Sequence, residues 1–277
     1  MAFFLFCSLA LLLIVGLLAH PYWLAYRRAR ITSKVFPAAW RKILKHRVPL
    51  VRRLPFDLQL QLKKRMQVFI AEKTFLGCAG LHVSEEMRVV VAAQACLLLL
   101  NRPTDYFANV RQILLYPGAF VVNRAPASAD ATGVQHEQRQ VLTGESWSQG
   151  QVILSWQDTL EGAAVADDGR NVVIHEFAHQ LDSENGFPNG APPPTLGDKQ
   201  YHAERWSRVF HAAYARLQSE VQDGIQGLLN HYGAQSPAEF FAVVSEVFFE
   251  QAVALAQEYP QLYQELRSYY KVDPTLW

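Results

Sequence analysis

His175-Glu176-Phe177-Ala178-His179 sets two imidazoles four residues apart with a carboxylate beside the first. In an α-helix, positions i and i+4 lie one turn apart on the same face. Both rings can then aim at one point, which is the spacing a zinc ion needs. Glu176 has the chemistry of a general base acting on a water that such an ion activates. Motifs of this length recur by accident in long chains, so the surroundings matter. Ile174, Phe177, Ala178 and Leu181 supply apolar surface on both sides, and the sequence predicts a buried helix over 171–182. Two histidines buried there need partners, because an unpaired buried polar group is costly.

A catalytic zinc takes three protein ligands plus water, so a third ligand must come from elsewhere. Glu239 and Glu246 are the best downstream carboxylates; both stand in an apolar helical segment, two turns apart. Asp182 is the local rival, one turn past His179, and fits better as an acceptor behind a ligand imidazole or as a helix-end residue. Glu184 falls just outside the helix. His202, His211 and His231 are further candidates, although isolated histidines of this kind are more often surface or packed residues.

The elements that must position these groups read as mostly helical. The chain has 277 residues, half of them hydrophobic, enough for a substantial core and too many for disorder. Its formal net charge of +1 gives no overall case for nucleic acid. Cys7, Cys78 and Cys96 form neither a disulfide framework nor a thiolate zinc site, which fits a reducing compartment. Helical patterns run over 57–73 and from Ser84 to Leu100, and the whole stretch 31–100 reads as helical. Strands are expected on either side of Pro117-Gly118 and again within 138–156, making a small antiparallel or mixed sheet before the histidine helix. Residues 159–169 and the Pro- and Gly-rich 183–199 read as loops, the second a candidate wall for the cleft. Helices follow over 202–223, from Ser236-Pro237 onward with Pro at its first position, and over the last 20 residues.

Residues 2–19 are an almost unbroken apolar run, with no charge before Arg27. Such a run is long enough to span a bilayer. Tyr22, Trp23 and Tyr26 resemble an interfacial belt, and Arg27, Arg28, Arg30 and Lys34 follow it. By the positive-inside rule the sequence predicts a single-pass anchor over 1–26, a basic juxtamembrane linker over 27–50 and a catalytic domain over 51–277 on the cytoplasmic side of the inner (cytoplasmic) membrane. A cleaved signal peptide would want a basic start and a small-residue cleavage site, and neither is clear here. A buried helix of a soluble domain is the third reading.

The stretch 175–182, together with Ser236-Pro237-Ala238-Glu239-Phe240-Phe241 through Ser245-Glu246, resembles the Mlc titration factor A (MtfA) family of zinc metallopeptidases. Leu115-Tyr116-Pro117-Gly118-Ala119-Phe120-Val121-Val122 and the segment from Gly144 to Trp156 carry the same resemblance, which covers about residues 50–270. It implies a zincin-like α+β fold similar to the protease domain of anthrax lethal factor, mostly helical with a small sheet beside the zinc helix. It implies Zn2+ held by His175, His179 and Glu239, with Glu176 as general base and Glu246 behind the ligands. Tyr232 stands seven residues before Glu239, the spacing at which lethal-factor-type sites carry a tyrosine that can donate to an oxyanion. The resemblance also implies aminopeptidase-like cleavage of peptides and binding of a transcriptional repressor that controls sugar uptake. Family members of this kind are soluble, so the apolar start of this chain departs from the pattern and leaves the cytoplasm as the alternative location. A rival reading from another class is a membrane-tethered protein that sequesters a regulator and has little or no catalysis.

Overall fold

The computed structural model describes residues 1–118, 150–193 and 199–277. The strand expected after Gly118, the one expected over 138–149 and the side chain of His202 lie outside the described residues. In chain order the elements are α1 (Ala2–Thr32), α2 (Ala38–Arg47), α3 (Leu50–Arg53), α4 (Phe56–Glu72), β1 (Thr74–Gly77), α5 (Glu85–Leu97), β2 (Gln112–Tyr116), β3 (Gln151–Ser155), α6 (Trp156–Ala164), α7 (Val172–Asp182), α8 (Lys199–Gln222), α9 (Pro237–Glu250), α10 (Ala252–Glu258) and α11 (Pro260–Tyr270). Among the described residues the fold is mostly helical with one three-stranded sheet.

That sheet is parallel, not antiparallel or mixed. Its order is β1-β2-β3, with Phe75 opposite Ile113, and Ile113 and Leu115 opposite Val152 and Leu154. Among the described residues, the strand hydrogen-bonded to β2 on the side away from β1 is β3, Gln151–Ser155, and it runs parallel to β2. Parallel neighbours need long crossover connections, and the one from β1 to β2 is built around α5. Past its charged first turn helix α5 is buried all round, with Val89 to Ala93, Ala95 and Cys96 wholly buried. Two short elements depart from the sequence reading. Strand β1 occupies part of a stretch read as helical, since Thr74–Gly77 is too short to show alternation. Helix α6 replaces most of a predicted loop; it starts where the Ser155 hydroxyl accepts the Asp158 N–H at 3.2 Å.

Helix α7 runs through the middle of the core. Its Phe177 ring packs edge-on against Phe107 at 4.7 Å and Phe69 at 5.5 Å between centroids. The other flank of α7 lies along α9, whose Phe240, Phe241, Val244, Val247 and Phe248 are buried. Behind α9, Tyr269 and Tyr270 of α11 complete an aromatic layer. Helices α2 and α3 add Leu44, Leu50 and Val51 to the core.

Helix α1 is different. It is long and apolar enough to cross a membrane, and none of its most apolar window is buried. Its last turns nonetheless belong to the folded body. Arg28 grips Glu72 with two hydrogen bonds of 2.8 and 2.9 Å, donates to Asp105 O at 3.0 Å and lies 4.5 Å over the Tyr106 ring.

Candidate metal centre

Helix α7 begins at Asn171, whose side-chain oxygen accepts the Ile174 N–H at 3.0 Å. Helix α9 begins at Ser236, whose hydroxyl accepts the Glu239 N–H at 3.2 Å, with Pro237 in the first turn. These two caps fix where His175, His179 and Glu239 stand on their helices. The helices pack side by side, so the histidines of one meet the acid of the other.

His175 Nε2 lies 3.0 Å from Glu239 Oε2 and 3.2 Å from His179 Nε2, and His179 Nε2 lies 3.4 Å from the same carboxylate oxygen. A tetrahedral ion with bonds of ~2.0–2.1 Å holds its ligand atoms ~3.3 Å apart. The three donor atoms therefore already stand at the separations that one small divalent ion imposes. Among the described residues, His175, His179 and Glu239 are the group whose ligand atoms fall together in this way, within 4.8 Å of one another. Asp182, Glu246, His211 and His231 do not join it.

Tautomer and charge fit the same use. His175 Nδ1 is 2.8 Å from Glu246 Oε1; a carboxylate only accepts, so Nδ1 carries a proton and Nε2 is the nitrogen left to ligate a metal at the shared point. Burial pushes the His179 pKa down to about 4, which keeps that ring neutral and able to ligate. Burial works against ionised Glu239, but hydrogen bonds from His175 and His179 outweigh it and hold its pKa down at about 2. For His175, burial is outweighed in the opposite sense by Glu239 and Glu246, which raise its affinity for a proton. A cation is thus favoured at this point, whether a proton or a metal.

Glu176 is buried on the same helix. Tyr232 sits in a short helical turn, His231–Ala234, with its ring 5.9 Å from that of His175. Burial, then the nearby carboxylates of Glu239 and Glu176, push the Tyr232 pKa far up, so the phenol stays protonated. Asp182 instead ties down the loop after α7, its Oδ2 accepting the Gly190 N–H at 2.7 Å. Gly190 has φ +78°, and a Cβ there would come 2.4 Å from Pro237 O, so this turn can approach the start of α9 only as glycine. Beside it an apolar cleft of about 340 Å³ is lined by Pro192, Trp206, Phe210, Tyr214, Pro237 and Phe240.

Two residues around the site have no signal in the motif. Asn171 was legible only as the residue before a helical run. Glu250 looks like a helix-end acid, yet it is buried against Asn171, and burial raises its pKa to about 8.

The profile of the glucose-regulated metallo-peptidase M90 family matches residues 23–271. An uncharacterized protein of Synechocystis sp. is 37% identical over 274 residues, covering 97% of this chain and 98% of the relative. The Mlc titration factor A of Cronobacter sakazakii is 31% identical over 252 residues, 90% of this chain and 91% of the relative. That of Yersinia pestis is 32% identical over 240 residues, 86% and 85% of the two chains.

Proposed function

The chain belongs to the glucose-regulated metallo-peptidase M90 family, and from that premise we propose that it is a zinc-dependent peptidase with its metal held by His175, His179 and Glu239. The observation that carries this reading is the mutual spacing of the three donor atoms, 3.0 to 3.4 Å, on two capped helices. Zinc bound there supplies Lewis acidity toward a water and toward the scissile carbonyl. Glu176 takes the proton of the attacking water on its carboxylate and hands it to the leaving amine. Tyr232 donates its phenolic hydrogen to the oxygen on which negative charge develops. Glu246 holds the Nδ1 proton of His175 and so fixes the ring. Asp182 stands behind the site and keeps the loop 183–193 in place.

The substrates we propose are short peptides cleaved in an aminopeptidase-like way, a preference that rests on the family resemblance. Two relatives are named as Mlc titration factors. By extension we propose that this chain also binds a transcriptional repressor. We place α1 across the inner membrane as a single-pass anchor, with residues 1–26 in or at the bilayer and the remainder cytoplasmic. Support comes from its length, its exposed apolar surface and the basic residues Arg27, Arg28, Arg30 and Lys34 on its C-terminal side. The match to the Synechocystis protein covers 97% of this chain, which leaves too few residues unmatched to omit that run.

Hydrolysis of aminoacyl and peptide substrates by the full chain, wild type beside Glu176→Gln, tests the reading. Turnover in the wild type that disappears in the variant while metal is retained is the expected result. Persisting turnover would remove Glu176 from the mechanism. Absence of turnover in a metal-loaded wild type would favour the regulator-sequestering alternative.

A further inference from the structure

The turn that leads into α7 is fastened, rung by rung, to one face of α9. At the outer rung Gln251 Nε2 donates to Asp167 O at 2.9 Å. On the next, Glu250 accepts the Arg170 N–H on Oε2 at 3.1 Å and the Asn171 side-chain amide on Oε1 at 2.9 Å. On the innermost, Glu246 accepts the Asn171 backbone N–H on Oε2 and the His175 Nδ1–H on Oε1. Glu246 and Glu250 are four residues apart and so share a helix face.

Asn171 is the residue that the two inner rungs share. Its side-chain oxygen caps α7, its side-chain amide reaches Glu250 and Gly162 O, and its backbone N–H reaches Glu246. Gly162 of α6 closes the other side, where a Cβ would come 3.1 Å from Asn171 Cα. With Asn171 only 2% exposed and Glu250 7%, water does not compete for these bonds. Glu246 alone could swing about its side-chain torsions; held by Asn171, whose own position is set by Glu250, it cannot.

We propose that Asn171 and Glu250 are positioning residues of the metal centre. They fix the start of α7 and the orientation of the Glu246 carboxylate, and thereby aim His175 Nε2 at the point shared with His179 and Glu239. This rests on the metal reading above. Partners behind a ligating histidine typically change metal affinity 10–100-fold when removed, and these two act one step further out.

The test uses the full chain in detergent, stripped of metal and titrated with Co2+, whose visible absorption reports both affinity and ligand geometry. Asn171→Ala and Glu250→Ala are expected to weaken Co2+ binding by roughly 10-fold or more and to alter the absorption bands. Glu250→Gln keeps the shape and one acceptor and is expected to recover most of the affinity. A merely structural role would lower the melting temperature of the metal-free protein and leave the bands alone. Wild-type affinity and wild-type bands in both alanine variants would therefore overturn the proposal. If Asn171→Ala does not fold, the Glu250→Ala and Glu250→Gln pair decides it. A wild type that binds no Co2+ would sink the metal reading itself, whereas equal binding by all proteins would sink this proposal alone.

Discussion

Two regions break the rule that polar groups stay outside and apolar groups inside, and they break it in opposite directions. Between α7 and α9, His175, Glu176, His179, Glu239, Glu246 and Glu250 are all buried. Along α1, Phe3 to Leu18 is apolar and exposed, with Phe3, Phe4, Leu5 and Leu17 all more than 70% accessible. Each is unfavourable for the chain by itself in water. The difference lies in how the chain prepares for a partner. The interior cluster is braced by hydrogen bonds from caps and from neighbouring helices, because an ion demands positions fixed to a few tenths of an ångström. The exposed helix has no such bracing until Arg28, because a bilayer asks only for length and apolar surface. Order around a group thus marks the kind of partner that group is built to meet.

The comparison breaks first at the cluster. Glu176→Gln is expected to lower peptide hydrolysis by about 10³-fold or more while the bound metal stays, since the proton acceptor is lost and the ligands are not. Metal analysis and initial rates on one preparation check this. At the other region, removing residues 2–22 is expected to move the protein almost wholly from the membrane pellet to the soluble fraction, leaving Arg28 in place. Full-length protein found only in the soluble fraction would contradict the anchor. Tyr232→Phe sharpens the picture of the cluster: an expected loss of about 10²-fold in kcat with unchanged metal content would mark a donor to the oxyanion, and an unchanged kcat would make the ring a packing residue.

Two smaller effects separate bracing from chemistry. The Arg28–Glu72 pair is mostly shielded, with side chains 19% and 11% exposed. Arg28→Ala is expected to lower stability by about 1–3 kcal/mol, read as a fall of several degrees in melting temperature. Glu250 offers a pH test. Burial raises its pKa from 4.5 to about 8 in the folded chain, helped by Asp168 and Glu246 and opposed by Asn171. A raised folded-state pKa gives stability that is complete below the unfolded value and lost as pH rises through the folded one. Metal-free wild type should therefore lose stability between about pH 5 and pH 8 relative to Glu250→Gln, whose amide does not titrate. Denaturation midpoints for both proteins at the two pH values decide it, and parallel curves would remove Glu250 as the cause.

Much of this arrangement was legible in the sequence, for reasons that can be named. Helix α7 combines two histidines at i and i+4 with apolar flanks, and α9 opens with Ser-Pro-Ala-Glu before an apolar run, so periodicity and cap chemistry mark both. The sheet was readable as strands but not as parallel, because strand direction is set by the crossover through α5 and not by residues within Gln112–Tyr116. Strand β1 and helix α6 are too short for their patterns to rise above the local background. Asn171 and Glu250 stayed hidden because their role exists only in the contact between them, made across 79 positions of chain. Motif spacing reports partners on one helix; partners brought together by packing need the fold.

The central claim is that His175, His179 and Glu239 share one divalent ion. Metal content of the full chain after exhaustive dialysis, wild type beside Glu239→Ala, tests it most directly. One zinc per chain in the wild type, and essentially none in the variant while its helical content is preserved, is the predicted result. Zinc retained at wild-type level in Glu239→Ala would contradict the claim and move the third ligand to another carboxylate.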